Sequence, residues 1–149
     1  MTIELSPEGI RTLHFEVEVA ATPERTWDLV ATSQGISSWF VPTEVDGREG
    51  GAISFQLGDD PEALSIAVIT EWEPPYRFAY LEQIWMQAEA SAFPVVTEFV
   101  IEPRFGDGCT LVMASSAADA SGQLAEAFEQ MDGEWGKLLD SIALLLRRR

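Results

Sequence analysis

The chain has 149 residues, of which 46% are hydrophobic, and its 25 acidic against 9 basic residues give a net charge of −16. This length favours a single domain over residues 1–149, and the apolar content is ample for one sizeable core. So acidic a protein repels phosphate backbones and anionic lipids, so we expect neither nucleic acid nor membrane as a partner. Cys109 is the only cysteine in the sequence, which excludes an internal disulfide and favours the cytoplasm.

The first predicted elements are a strand and two short helices. Apolar and polar residues alternate over residues 13–19, which predicts a strand with one buried face. Residues 22–24 combine an N-cap threonine, a proline at the first helical position and an acid in the first turn, and this combination predicts a helix start. Residues 32 and 33 predict the cap of a second short helix, which Pro42 ends.

The middle of the chain predicts an antiparallel meander, because turns rich in glycine or proline separate its apolar or alternating runs. These runs are 43–46, 53–57, 64–72, 77–82, 94–102 and 110–115. We expect six or seven strands in total. Residues 83–93 fit neither a strand nor a helix pattern, and we interpret them as a loop or a short helix near the mouth of any cavity.

The C-terminal stretch, residues 121–149, predicts one long amphipathic helix. Its apolar residues recur at steps of four and three, which places them on one face. They are Leu124, Phe128, Met131, Trp135, Leu138, Ile142 and Leu145. We expect five charged residues off this stripe to face water: Glu126, Glu129, Asp132, Lys137 and Asp140. Ser121 is the predicted N-cap, and residues 123–146 would span roughly 36 Å, enough to cross a small domain.

Two glycines, Gly133 and Gly136, flank Trp135 inside this helix. Because each costs about 1 kcal/mol relative to alanine, we expect a close backbone approach or a bend there. Strands followed by a segregated helix predict an α+β fold, in which a curved antiparallel sheet grips the long helix.

The sequence contains no strong catalytic motif. It lacks a glycine-rich phosphate loop and Cys/His ligand spacing, so we expect no metal, no cofactor and no catalytic residue. We interpret His14 as an exposed strand residue and Cys109 as a bystander thiol, since no basic neighbour in the sequence would activate it. Four glutamates are expected on solvated strand faces: Glu16, Glu18, Glu98 and Glu102.

Large aromatic and thioether side chains are concentrated at positions expected to face inward. They are either ordinary core or the wall of a pocket for an apolar small molecule, and the pattern leaves both interpretations open. The candidate ligand-binding residues are Trp39, Phe40, Phe55, Tyr80, Trp85, Phe99, Met113, Phe128, Met131 and Trp135. Thr97, Ser115 and the Tyr80 hydroxyl are candidate polar groups for such a pocket.

Several short patterns, taken in order, resemble the START-like (SRPBCC) superfamily, and within it the bacterial homologues of the activator of the heat-shock-protein-90 ATPase. The patterns are TPERTW at 22–27, ISSWFVP at 36–42, GG at 50–51, WEPPYRF at 72–78 and GEW at 133–135. The resemblance covers nearly the whole chain. It implies a helix-grip fold around an apolar cavity that binds hydrophobic molecules in many members, and it implies no universal catalytic residue.

The leading functional hypothesis is binding of a hydrophobic or aromatic small molecule between the sheet and the C-terminal helix, by a monomer or a homodimer. One alternative is a co-chaperone-like module with a protein partner, which the acidic composition and Trp85 favour. A second alternative is a cyclase or hydrolase that uses the same cavity. The enzyme hypothesis needs a titratable group inside the cavity, which the pattern does not supply.

Overall fold

The structure is a computed structural model that describes residues 2–61, 63–86, 91–106, 108–119, 122 and 124–147, with the backbone alone for 2, 84–86, 91 and 92. The strands in these residues are β1 (Thr2–Leu5), β2 (Ile10–Val19), β3 (Thr43–Val45), β4 (Ala52–Gln56), β5 (Leu64–Glu73), β6 (Arg77–Met86), β7 (Ser91–Pro103) and β8 (Cys109–Ala118). The helices are α1 (Pro23–Val30), α2 (Ser33–Trp39) and α3 (Ala125–Arg147).

One antiparallel sheet contains the eight described strands, in the order β1-β2-β8-β7-β6-β5-β4-β3. The two short helices connect β2, near one edge of the sheet, to β3 at the other edge. The predicted α+β helix-grip fold is confirmed. The strand that raises the count above the predicted six or seven is β1, which pairs with residues 11–14 of β2 and is too short to show a pattern of its own.

The N-caps of the two short helices are as predicted. The Thr22 hydroxyl accepts a hydrogen bond from the Arg25 backbone N–H at 3.2 Å. The Thr32 hydroxyl accepts one from the Gly35 backbone N–H at 3.0 Å. Both caps satisfy amide groups that the first turn of a helix leaves without a partner.

The interpretation of residues 83–93 as a loop or short helix is wrong. Residues 83–86 end β6 and residues 91–93 begin β7, and they pair in register from Gln83 opposite Pro94 to Met86 opposite Ser91. Residues 87–90 of the segment lie outside the described residues. Strands pair through their backbones and do not require alternating side chains. Because residues 83–86 and 91–93 show no such alternation, the sequence pattern did not predict these strand ends.

The buried face of α3 follows the predicted stripe only in part. Phe128 and Ile142 are fully buried as predicted. The leucines buried in the second half are Leu139 and Leu146, whereas Leu138 and Leu145 are partly exposed. A regular helix turns once every 3.6 residues, whereas steps of four and three average 3.5, so the predicted stripe lags the buried face by about 20° per seven residues, or more than half a residue position over the length of α3.

Three further expectations for α3 have different outcomes. Asp132 is half-buried rather than exposed, and its Oδ1 is buried with no hydrogen-bond partner among the described residues. Of the two alternatives expected at the glycines, the close approach is not found among the described residues, because a Cβ on Gly133 would meet no described atom within 4 Å and one on Gly136 would meet only Phe15 Cε1, at 4.0 Å; the bend stays a prediction. The predicted cap Ser121 lies outside the described residues.

A buried ion pair anchors the start of α3. The Asp119 side chain is fully buried, and its Oδ2 accepts a hydrogen bond from Arg11 Nε at 2.6 Å. Its Oδ1 accepts another from the Leu124 backbone N–H at 3.1 Å. Asp119 therefore joins the end of β8 to both β2 and the first turn of α3. Within the described residues, no helix has the length and apolar character needed to cross a bilayer.

Candidate functional site

A cavity of about 480 Å³ lies between α3 and the half of the sheet formed by β4, β5 and β6. The α3 backbone approaches the sheet most closely at β2, in the other half, so the side chains of α3 have to bridge a wider gap here. The lining residues are Phe40, Phe55, Leu57, Leu64, Ser65, Ile66, Tyr80, Glu82, Gln83, Met131, Glu134, Trp135 and Leu138. The helix contributes the last four of these.

Aromatic rings form a connected wall of the cavity. Phe55 lies between Phe40 and Tyr80, with ring centroids 5.7 Å and 6.0 Å away. Trp39 stacks behind Phe40 at 5.9 Å and reaches Trp135 of α3 at 6.3 Å. Ring pairs at these distances and tilts attract one another beyond their burial, so the wall is held in place without a ligand.

Tyr80 lines the cavity and also joins a polar row on the inner face of the sheet. It lies opposite Thr97 on β7, which lies opposite Ser115 on β8. The Thr97 and Ser115 hydroxyls are 2.8 Å apart, and Ser115 Oγ donates to Met113 Sδ at 3.6 Å. Burial raises the pKa of Tyr80, an effect that a hydrogen bond with Thr97 opposes, so the phenol stays neutral at physiological pH.

Glu82 is the titratable group that distinguishes this cavity. It follows Tyr80 by two residues on β6, so the two side chains share the inner face of the sheet. Burial raises the pKa of Glu82 to about 7, and a hydrogen bond with Ser65 only partly offsets that rise. Its carboxyl group therefore changes charge near neutral pH, which is the range where acid–base chemistry and pH-sensitive binding operate.

The other polar lining groups carry no positive charge. Glu134 of α3 and Gln83 of β6 line the cavity with Glu82, and the lining contains no lysine, arginine or histidine from the described residues. Arg77, at the opposite end of β6, is held by Glu98, Glu71 and Glu73. The hydrogen bond to Glu98 is the main cause that raises the pKa of Arg77.

A comparison with known protein families assigns the chain to one of them. Residues 20–147 match the family described as "Activator of Hsp90 ATPase homolog 1-like protein". The chain belongs to this family. The predicted resemblance is therefore confirmed at the level of the family. None of the curated proteins matches the sequence.

Solved structures share the fold of this family member at low sequence identity. CalU16 from Micromonospora echinospora is 18% identical with a TM-score of 0.73, over 98% of this chain and 83% of that one. The Aha1 dimer from Colwellia psychrerythraea is 15% identical with a TM-score of 0.69, over 91% and 95%. Truncated norcoclaurine synthase from Thalictrum flavum is 13% identical with a TM-score of 0.68, over 94% and 95%. At such identities the likeness shows a common fold.

Five of the ten predicted binding residues line the cavity: Phe40, Phe55, Tyr80, Met131 and Trp135. Four others lie outside the lining because they pack into the solid part of the core or behind the wall. Phe99, Met113 and Phe128 are buried, and Trp39 backs Phe40 while its indole N–H donates to the Leu29 carbonyl at 2.8 Å. The side chain of Trp85, the tenth, lies outside the described residues. Thr97 and Ser115 are buried beneath α3 and do not line the cavity.

The sequence analysis missed several lining residues, and Glu82 is the most informative of them. The alternation that places Phe78 and Tyr80 inward also places Glu82 inward, so this signal was available. The expected solvated positions of Glu16, Glu18 and Glu102 are confirmed, since all three are exposed, and Glu98 is bound to Arg77.

The cysteine and the histidine, the other side chains that could be reactive, do not line the cavity. The Cys109 thiol is buried 3.2 Å from the Thr26 hydroxyl, and burial raises its pKa, which disfavours a nucleophilic thiolate. His14 lies on β2 with Nε2 3.9 Å from Glu16. Among the residues that the structure describes, no three acidic, histidine or cysteine side chains form a group that could hold a metal ion.

Proposed function

We propose that the cavity between α3 and β4–β6 binds a small molecule that is mainly apolar or aromatic. The observation that carries this proposal is a hollow of about 480 Å³ beside a tightly packed part of the same core. Small-molecule sites occupy roughly 300–1,000 Å³ and combine apolar walls with a few polar groups. Closely packed protein cores contain few voids larger than a water molecule.

Part of the cavity lining is exposed at the end of β4 and the start of β5. Leu57, Leu64 and Ile66 line the cavity and are 58%, 47% and 53% exposed. Apolar side chains with this exposure at a cavity rim allow an apolar ligand to enter and then cover part of it. Met131 adds an adaptable wall from the helix, because its side chain is flexible and polarisable.

Binding can be tested with naphthylethanol, a neutral aromatic probe of suitable size, by isothermal titration calorimetry. We expect saturable binding with one site per chain. Met131→Trp places an indole in the cavity and should abolish binding, whereas Leu144→Trp, on the exposed side of the same helix, should leave it unchanged. Binding that survives Met131→Trp in a folded protein would contradict the assignment of this cavity.

A second candidate function is a co-chaperone-like module that binds an Hsp90-type ATPase, which the family description and the outer face of the sheet favour. Val68 of β5 and Val96 of β7 lie on either side of Leu81 of β6, and the two valines are 49% and 41% exposed. This row is apolar surface that no described element covers. The acidic composition would add salt-sensitive attraction to a basic partner surface.

The direct test of this candidate adds the protein to a purified Hsp90-type ATPase and measures phosphate release. Stimulation that falls in Val68→Asp, and that high salt weakens, would support the module. Absence of both stimulation and binding would count against it. Met131→Trp serves as the control, because a blocked cavity should leave contacts on the outer face intact.

The enzyme hypothesis is strengthened by Glu82, which is the titratable cavity group that a cyclase or hydrolase requires. Norcoclaurine synthase, a protein of the same fold, is named as a synthase. Turnover that Glu82→Gln abolishes without loss of substrate binding would support a general acid or base. We also propose that the protein is cytoplasmic, because its one cysteine, Cys109, is a free buried thiol. We propose a monomer or a homodimer as its oligomeric state.

A further inference from the structure

The chemistry of the cavity restricts which small molecules can bind. The lining side chains that carry polar groups are Ser65, Tyr80, Glu82, Gln83, Glu134 and Trp135. None of them is a cation. A ligand with a carboxylate or phosphate would therefore meet negative charge and would find no positive group among the described residues to offset it.

The Glu82 carboxylate has no basic partner among the described residues. Its neighbour is the Ser65 hydroxyl, which supports a carboxylate less strongly than an ammonium or guanidinium group does. A carboxylate taken from water into an apolar wall is costly unless an opposite charge accompanies it. A positive charge placed close to Glu82 would therefore be stabilised in this cavity.

The aromatic wall favours the same kind of charge. Phe55, Tyr80 and Trp135 line the same cavity as Glu82, and ring faces attract ammonium groups, most strongly where water is excluded. The net charge of −16 adds a field that attracts cations and repels anions at long range.

We infer that the ligand is an organic cation, a protonated amine on an aromatic or other apolar body, which places its ammonium group beside Glu82 and its apolar body among the rings. This inference rests on the proposed small-molecule function and specifies the class of ligand. It excludes fatty acids and other anionic hydrophobic molecules as good ligands. Glu134 contributes additional negative charge from the helix side of the cavity.

The test compares three probes of similar shape, naphthylethylamine, naphthylethanol and naphthylacetate, by calorimetry at pH 8 and near-physiological salt. We expect the amine to bind at least about tenfold more tightly than the alcohol, because hydrogen bonds to charged groups are the stronger ones. The acetate should be the weakest of the three. Glu82→Gln should remove the advantage of the amine, so that the variant binds the amine and the alcohol with similar affinity.

A matched control separates a local partner from the overall charge. Glu129→Gln makes the same chemical change at an exposed position of α3 and should leave all three affinities unchanged. An advantage of the amine that survives in Glu82→Gln, or that falls equally in Glu129→Gln, would overturn the inference. Saturable binding of the alcohol to Glu82→Gln shows that the variant retains the cavity.

The outcomes for the inference and for the proposed function are distinct. If the alcohol binds in the cavity but the amine binds no more tightly, or if the acetate binds best, the inference fails and the proposed function stands. If none of the three probes binds, the proposed function fails and the inference fails with it. Tight binding of the amine that requires both Glu82 and an unblocked cavity supports both.

Discussion

The two halves of the interface between α3 and the sheet have opposite characters. On the side of β2, β7 and β8, the side chains of Leu13, Met113 and Phe128 are fully buried. On the side of β4, β5 and β6, Met131 and Trp135 border a hollow of about 480 Å³. A single helix and sheet thus provide both a solid core and an open one, so the hollow is a local feature and not a general looseness of packing.

The polar groups of the two halves also differ, in their charge and in their partners. In the solid half, Thr97 and Ser115 satisfy each other at 2.8 Å. In the hollow half, Glu82 retains a carboxyl group whose pKa burial raises to about 7. Titratable groups with a raised pKa in a cavity are concentrated at functional sites, and this contrast is one of the observations that support the proposed function.

The largest effect should come from removing a ring in the solid half. Phe128→Ala should lower the free energy of unfolding by about 3–5 kcal/mol, because it opens a new cavity in close packing. Met131→Ala, in the hollow half, should cost about 1 kcal/mol, since its side chain already borders open space. Urea unfolding at neutral pH measures both. Equal losses would show that the two halves are packed alike.

The next effect concerns the charge of Glu82 and depends on pH. A carboxyl group whose pKa is about 7 when folded and about 4.3 when unfolded binds more protons in the folded state between those values. The free energy of unfolding therefore falls as pH rises through this window, and Glu82 costs stability above it. Glu82→Gln should stabilise the protein by about 1–3 kcal/mol at pH 8 and by little at pH 4.

Urea unfolding of Glu82→Gln at both pH values measures this difference. Glu129→Gln, an exposed change on α3, is the control and should alter stability little at either pH. A Glu82→Gln variant that is less stable than the parent at pH 8 would mean that the carboxylate already has a favourable partner.

A smaller effect, on binding, follows from the same titration. Raising the pH from 5.5 to 8 should strengthen the binding of naphthylethylamine about tenfold, because a proton on Glu82 competes with the ammonium group. Two other titratable groups share the cavity with Glu82. Tyr80 stays neutral over this range, and Glu134 lines the cavity from α3. On β7, the residue opposite Glu82 is the uncharged Val95.

Calorimetry across this pH range, with naphthylethanol as the reference, isolates the effect. The affinity for the alcohol should stay flat, and Glu82→Gln should flatten the curve for the amine. An amine curve in the variant that is as steep as in the parent would assign the titration to another group.

The smallest effect tests the exposed surface of α3, which belongs to neither half. Gly133 is exposed, and a Cβ there would meet no described atom within 4 Å. Gly133→Ala should therefore stabilise the protein by up to about 1 kcal/mol through helix propensity alone. Thermal unfolding measures the gain, with Glu129→Ala as a nearby exposed control. A loss of stability would mean that another surface packs against Gly133.

Much of this fold could be predicted because its signals are local. The N-caps at Thr22 and Thr32 and the periodicity around Phe128 each depend on residues close in sequence. The order of these signals along the chain predicted that an antiparallel sheet packs around the C-terminal helix. The edge strand β1 and the paired ends of β6 and β7 could not be predicted, since they depend on partners distant in sequence.

The site was only half predictable for a related reason. Periodicity shows which side chains face inward, but it does not show where the helix stands away from the sheet. Phe99 and Phe55 have the same pattern, yet Phe99 lies in the solid half and Phe55 lines the cavity. Glu82 was overlooked because carboxylates are usually exposed, even though its spacing from Tyr80 places it inward.

The most direct test of the account observes where a probe binds. Two-dimensional NMR of the nitrogen-labelled protein, titrated with naphthylethylamine, reports every tryptophan indole, and Trp135→Phe assigns the resonance of Trp135. The account predicts saturable shifts of the Trp135 indole and of the Tyr80 and Glu82 backbone amides, with Trp27, buried elsewhere in the core, unmoved. Shifts confined to the outer face around Val68 and Val96, or no shifts at all, would contradict it.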